Sequence, residues 1–248
     1  MTQSVHDFEN TFARARQLLA ENWVIVVPGL VLGAIGGALE FLVSAAVLGP
    51  LVVTGDGTEN MAVVTQTIVT VSLTIVSVLI AIVQMAYVTS MAGAAWKTGH
   101  TTLVDGWNAF SHRGLHILVA VVLLFVLGIC AAVFAPITFL LTLLAYMVFF
   151  IYTMASVIIG GRKPIAAIAE SCRLSLANFV PTLGIVVLIA AIALAGAWIG
   201  TLVGRLTPFG GGLIAGVLQQ VIVAYASLVV VGEYLKLSQA GGPATPQS

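Results

Sequence analysis

The chain has 248 residues, 60% of them hydrophobic and only 7% charged, whereas a soluble domain carries roughly 25% charged residues. With a mean hydropathy of +1.14, a soluble globular domain is excluded. Nine Lys plus Arg against nine Asp plus Glu leave no electrostatic footprint for a nucleic-acid partner.

Six apolar stretches recur, at 23–53, 61–95, 115–134, 137–159, 180–203 and 212–231. Each is long enough to cross a hydrocarbon core of about 30 Å, which takes roughly 20 helical residues. Spanning backbone must be helical or belong to a closed barrel, and barrel strands alternate polar and apolar residues over about ten positions. These stretches do not alternate, so the fold class expected is an all-α integral membrane protein with six transmembrane helices.

The N-terminal segment carries Asp7 and Glu9 where a secretory signal would be basic, and the apolar run after it is too long for a cleaved leader. Val5, Phe8, Phe12, Ala15 and Leu19 recur at helical spacing with polar residues elsewhere around the wheel, which predicts an amphipathic helix lying in the membrane interface. In the first span Gly29, Gly33 and Gly37 recur every fourth residue, a face that lets helix backbones approach closely. Glu40 interrupts the apolar run. As an intramembrane carboxylate it is a candidate for proton or cation handling, but the stretch to Val53 would measure about 45 Å as a helix, which equally suits an interfacial Glu40 followed by a bent or surface-lying extension.

The segment 54–60, with Gly55-Asp56-Gly57 at its tip, reads as a turn. The second span carries Thr67, Thr70, Thr74, Ser77 and Gln84 on one face, as interhelical glue or as the lining of a wet path. Thr102 to Asp105 has the form of a capping box, after which Leu103, Trp107 and Phe110 share a face. His112 and His116 have the spacing of a helical metal pair, but Gly114 is expected to interrupt the helix and no Glu completes a hydrolase motif. No metal or other cofactor is expected.

Further on, Pro164 suits a first helical turn, and Ile165, Ile168, Cys172, Leu176 and Phe179 form an apolar stripe. Gly196, Gly200 and Gly204 repeat the small-residue face in the fifth span, Gln219 and Gln220 stand in the sixth, and Arg205 is the lone outer cation, a candidate for a lipid headgroup. Cys130 and Cys172 fall at different membrane depths and imply no disulfide framework. Residues 238–248 are small and polar and are expected to be disordered.

Taken together these elements predict three hairpins, about 1–96, 97–161 and 162–237, each preceded by a cytoplasmic interfacial amphipathic helix within a single membrane domain, 1–237. Ala20-Glu-Asn22-Trp23 echoes Leu176-Ala-Asn178-Phe179, each with a basic residue upstream, while the middle copy offers only Phe110-Ser-His-Arg113. Pro50, Pro136 and Pro208 stand at the outer ends of the odd spans, and Tyr87, Tyr152 and Tyr225 in the even ones. With both termini inside, Arg14, Arg16, Lys97, Arg113, Arg162, Lys163, Arg173 and Lys236 are cytoplasmic and only Arg205 is outside. That bias predicts a multi-pass protein of the inner or plasma membrane with cytoplasmic termini.

This topology, with the segment from Ala167 to Phe179 as its sequence-specific part, resembles the bacterial and archaeal six-helix membrane families related to the glycerophosphoryl diester phosphodiesterase membrane domain. The resemblance implies a membrane module without the soluble phosphodiesterase barrel, and it carries over no catalytic residue. No phosphate loop, nucleophile elbow or HExxH motif is present, nor is the Pro-acid-base signature of carriers built from three two-helix repeats. The expectation is therefore a non-catalytic scaffold or accessory subunit, with membrane lipids, a membrane protein complex or further copies of the chain as partners. The alternative is a small-solute or ion permease using Glu40 and the polar face of the second span.

Overall fold

The computed structural model describes residues 2–53, 59–138, 140–206 and 211–240, and they are helical throughout apart from short links. α1 (Thr2–Glu21) ends at Asn22, where the backbone leaves helical geometry (φ −126°, ψ 52°) for a 3₁₀ turn, Trp23–Val26, before α2 (Val27–Val53). The chain turns by 88° at this corner. α3 (Glu59–Thr98) has 40 residues and measures about 60 Å at 1.5 Å per residue. It stops at Gly99, whose φ of +82° is a left-handed cap that a side chain would strain.

Asp105 starts α4 (Leu103–Phe134) as the capping box predicts, its carboxylate accepting the Thr102 N–H at 2.7 Å and the Thr102 hydroxyl at 2.9 Å. α4 then runs without a break through Gly114. The expected interruption is absent because a single glycine costs a helix only about 1 kcal/mol, and the middle amphipathic segment is simply the first turns of α4. α5 (Leu141–Phe150) and α6 (Thr153–Ile158) divide what was expected to be one uninterrupted span. After Gly161 (φ +70°), Pro164 opens α7 (Pro164–Ala177), followed by α8 (Phe179–Leu206) and α9 (Gly211–Ala240).

Four stretches are long and apolar enough to cross a membrane: Phe110–Phe134, Leu141–Ile158, Phe179–Val203 and Ile214–Gln239. A fifth is added if the bent pair Asn10–Glu21 and Trp23–Leu39 counts as one. The molecule is an all-α membrane protein. α9 continues through Ser238 to Ala240, into the stretch expected to be disordered, and Glu59 and Asn60, expected in the turn at 54–60, already belong to α3; residues 241–248, 54–58 and Pro208 lie outside the described residues. Pro50 falls in the last turn of α2.

The two Asn-aromatic echoes fold alike. Asn178 adopts φ −128° and ψ 46°, close to Asn22. Each Asn donates its side-chain N–H to the carbonyl four residues back, Leu18 and Leu174, at 3.1 Å, and an exposed aromatic, Trp23 or Phe179, follows. The faces leading into the corners also correspond: Thr11, Ala15 and Leu18 are buried in α1 and Ala167, Ser171 and Leu174 in α7. Both faces cover protein, α1 lying on α9 and α7 on α5 and α6, while the opening turns of α4 lie on α3. Of the expected stripe of α7, Ile165, Leu176 and Phe179 point outward and Ile168 and Cys172 are half-buried, while the serines point inward.

These links and corners gather at what we call the corner end of the bundle. The main core is there, with Leu18, Ile25, Met91, Tyr152, Leu228 and Tyr234 among its buried members.

Candidate functional site

The break between α5 and α6 is stitched by the adjacent helix. In an unbroken helix the Tyr152 N–H would bond the carbonyl of Val148, four residues back. Here it donates to Ser171 Oγ at 3.2 Å, Ser171 donates to the Phe149 carbonyl at 2.7 Å, and Ser175 donates to the Val148 carbonyl at 2.7 Å. Two hydroxyls one turn apart on α7 thus satisfy the backbone that the break exposes, as irregular backbone inside a membrane protein requires. The Tyr152 hydroxyl lies 3.3 Å from Thr182 Oγ1 on α8. Thr153 Oγ1 is fully buried and makes no hydrogen bond among the described residues.

Two carboxylates flank this break. Glu170 on α7 accepts a hydrogen bond from Ser156 Oγ and pairs with Arg162 Nε at 3.4 Å. The Tyr234 hydroxyl of α9 reaches Ser156 and occupies the space over Gly160, where a Cβ would collide with it. Arg113 donates to the Val157 carbonyl at 2.9 Å and its guanidinium fills the space beside Gly161. Glu233, 2% exposed, accepts from the Thr11 hydroxyl at 3.3 Å and pairs with Lys236 at 3.8 Å. Burial pushes the neighbouring Cys172 thiol above its ordinary range, its own backbone hydrogen bond opposing the shift. Both carboxylates have cationic and hydroxyl partners from this chain, and the cluster ties α1, α4, α6, α7 and α9 together.

A second junction joins α3 to the links. Asn22 Oδ1 accepts from the Thr101 N–H at 2.9 Å and Nδ2 donates to the Gly99 carbonyl at 2.9 Å. The Tyr87 hydroxyl donates to the Leu103 carbonyl, with its ring over Gly106, and Ser90 donates to the Asp105 carbonyl at 2.8 Å. Trp96 Nε1 donates to the Leu228 carbonyl at 2.8 Å across Gly232.

Comparison with known proteins finds no matching family model, no matching curated protein and no matching solved structure. The reading of this chain rests on its own residues.

Of the residues singled out from sequence, the structure brings Gln84 and Gln220 together in a side-chain hydrogen bond against Gly29, with Gly33 beside them, so α2, α3 and α9 meet at an amide pair. Gly196 and Gly200 face Ile222 and Ala215 of α9, whereas Gly37 has nothing close. Gln219, Thr70, Ser77 and Arg205 are exposed, and the side chains of Glu40, Thr74 and Gly204 lie outside the described residues. His112 and His116 are exposed, and among the described residues no group of three His, Cys, Asp or Glu side chains is placed to hold a metal. The sequence pattern marked Tyr152 only as one of three repeated tyrosines, and it missed Thr153, Ser156, Glu170, Ser171, Ser175 and Tyr234. One signal pointed to part of this set: Ser171 and Ser175 are hydroxyls at i,i+4, in register with Ala167 and beside the apolar stripe of α7.

Proposed function

We propose that this chain is a non-catalytic integral membrane scaffold or accessory subunit that associates with a membrane protein complex and with lipids. In this reading α2, α3, α4, α5 with α6, α8 and α9 are six spans in three hairpins, the corner end is cytoplasmic and the host is the inner or plasma membrane. The leading segment of each hairpin lies on the second span of another, α1 on α9, the start of α4 on α3, and α7 on α5 and α6, which supports a closed ring of three units. Kinship with the phosphodiesterase-associated membrane domain belongs to the same proposal and rests on residues 167–179.

The observation that carries the proposal is the disposition of charge. The buried carboxylate Glu233 and its nearly buried counterpart Glu170 are both neutralised within the chain at the corner end. The described polar contacts among α2, α3 and α9 are made by uncharged groups, the amide pair and the Trp96 indole on the Leu228 carbonyl, whereas coupled transporters and pumps concentrate ionisable groups in their spans. Meanwhile Val122, Phe125, Val126, Ile129 and Val133 leave a long exposed apolar face on α4. Recovery of the chain from native membranes in mild detergent tests this: a stoichiometric membrane partner, lost when Phe125 and Ile129 are replaced by Ala, is the expected result, and a chain recovered without any partner would overturn it.

The broken span gives a second reading, that of a small permease, because discontinuous helices line the substrate sites of many transporters and Thr153 Oγ1, buried beside this break, has no hydrogen-bond partner among the described residues. Solute flux through reconstituted vesicles that is abolished by Thr153→Val would favour it over the scaffold.

A further inference from the structure

The outer surface of α7 has an unusual composition. Its exposed residues are Ile165, Ala166, Ala169, Arg173, Leu176 and Ala177, so Arg173 is the one exposed polar side chain of the helix. Ile165, Ala169, Arg173, Leu176 and then Val180 of α8 recur at steps of three and four and form a single outward stripe, with Ile165 at 76% and Val180 at 77% exposure. The acidic residue that would offset the guanidinium is turned away: Glu170 faces the bundle and is held by Ser156 and Arg162. Lys163, also exposed, adds a second positive charge at the N-terminal end of the stripe.

A guanidinium set among exposed apolar side chains, with the nearest carboxylate of the helix, Glu170, engaged by Ser156 and Arg162, is complementary to a surface that is anionic and greasy at the same level. Apolar residues of an in-plane helix enter the boundary between headgroups and acyl chains. Arg presents a planar fork of donors to phosphate oxygens. We propose that the outward stripe of α7 is a binding site for an anionic phospholipid, with the headgroup phosphate on Arg173 and the acyl chains along Ile165, Leu176 and Val180. The inference deepens the lipid association in the proposed function and rests on it.

The test is native mass spectrometry of the full chain in detergent, titrated separately with phosphatidylglycerol and with phosphatidylcholine. The expected result is preferential retention of phosphatidylglycerol, reduced about five-fold by Arg173→Gln, the equivalent of about 1 kcal/mol for one basic residue near an anionic surface. Arg173→Lys is expected to restore part of the retention, and Leu176→Ser to weaken it with the charge intact. Equal retention of the two lipids by the natural chain would overturn the proposal, as would phosphatidylglycerol retention unchanged in Arg173→Gln, or full displacement of the lipid by inorganic phosphate. Because the readout uses the isolated chain, it is independent of whether a membrane partner co-purifies.

Discussion

The corner end and the far end of the bundle are held together by different means. At the corner end, side chains bond to backbone between elements that do not follow one another in the chain: Asn22 to Gly99 and Thr101, Trp96 to Leu228, Ser171 and Ser175 to Phe149 and Val148. Towards the far end the described contacts join consecutive helices. Tyr146 donates to the Leu124 carbonyl at 2.9 Å and Thr142 to the Ala131 carbonyl at 3.1 Å, while Gly196 and Gly200 let α9 approach α8. The far end keeps neighbouring helices paired, and the corner end assembles the pairs. In a membrane, where apolar contact with lipid competes on equal terms with apolar contact between helices, such bonds and close approaches supply the specificity.

The largest effect expected from this contrast is that of the double substitution Ser171→Ala with Ser175→Ala. It strips partners from Tyr152 N–H, Phe149 O and Val148 O, and each buried backbone group left unsatisfied costs about 1–3 kcal/mol. Denaturant unfolding in mild detergent is expected to show a loss of several-fold greater size than any single outward change. A smaller effect is expected at the amide pair. A double-mutant cycle on Gln84→Leu and Gln220→Leu should give a coupling of about 0.6 to 1.7 kcal/mol, the range for interhelical hydrogen bonds in membranes; a coupling near zero would remove this junction from the account. Least affected are the outward residues of α4: Ile129→Ala and Val133→Ala, at sites 49% and 64% exposed, should shift stability by no more than about 0.5 kcal/mol. Were they to match the serine pair, the distinction between the two ends would collapse.

Much of the architecture was readable because it is written in local patterns. The echo between Asn22-Trp23 and Asn178-Phe179 marks two corners of near-identical geometry, and Thr102 with Asp105 marks a helix start. Apolar length located the four stretches, or five with the bent pair, that are long enough to span. The break at Ile151 and Tyr152 was not readable, because 137–159 is apolar on either side of it and the hydroxyls that satisfy the break come from Ser171 and Ser175 on the following helix, outside the span. For α7, periodicity located the apolar stripe but not its direction. In lipid the apolar face of a helix turns outward and small polar residues turn in, so the outward placement of Ile165 and Leu176 follows from the solvent and not from the pattern. The site residues were the least readable: Gln84 and Gln220 stand out as buried amides, whereas Glu170 and Glu233 look like ordinary charges near a membrane surface until their partners are known.

The central claim is that the bundle is a closed assembly without an ionisable route through it, and the most direct measurement is flux across vesicles reconstituted with the purified chain. With pH-sensitive and ion-sensitive dyes trapped inside, the account predicts leakage no faster than through protein-free vesicles, for the natural chain and for Glu40→Gln alike. Proton or cation flux well above that baseline, abolished by Glu40→Gln, would contradict it.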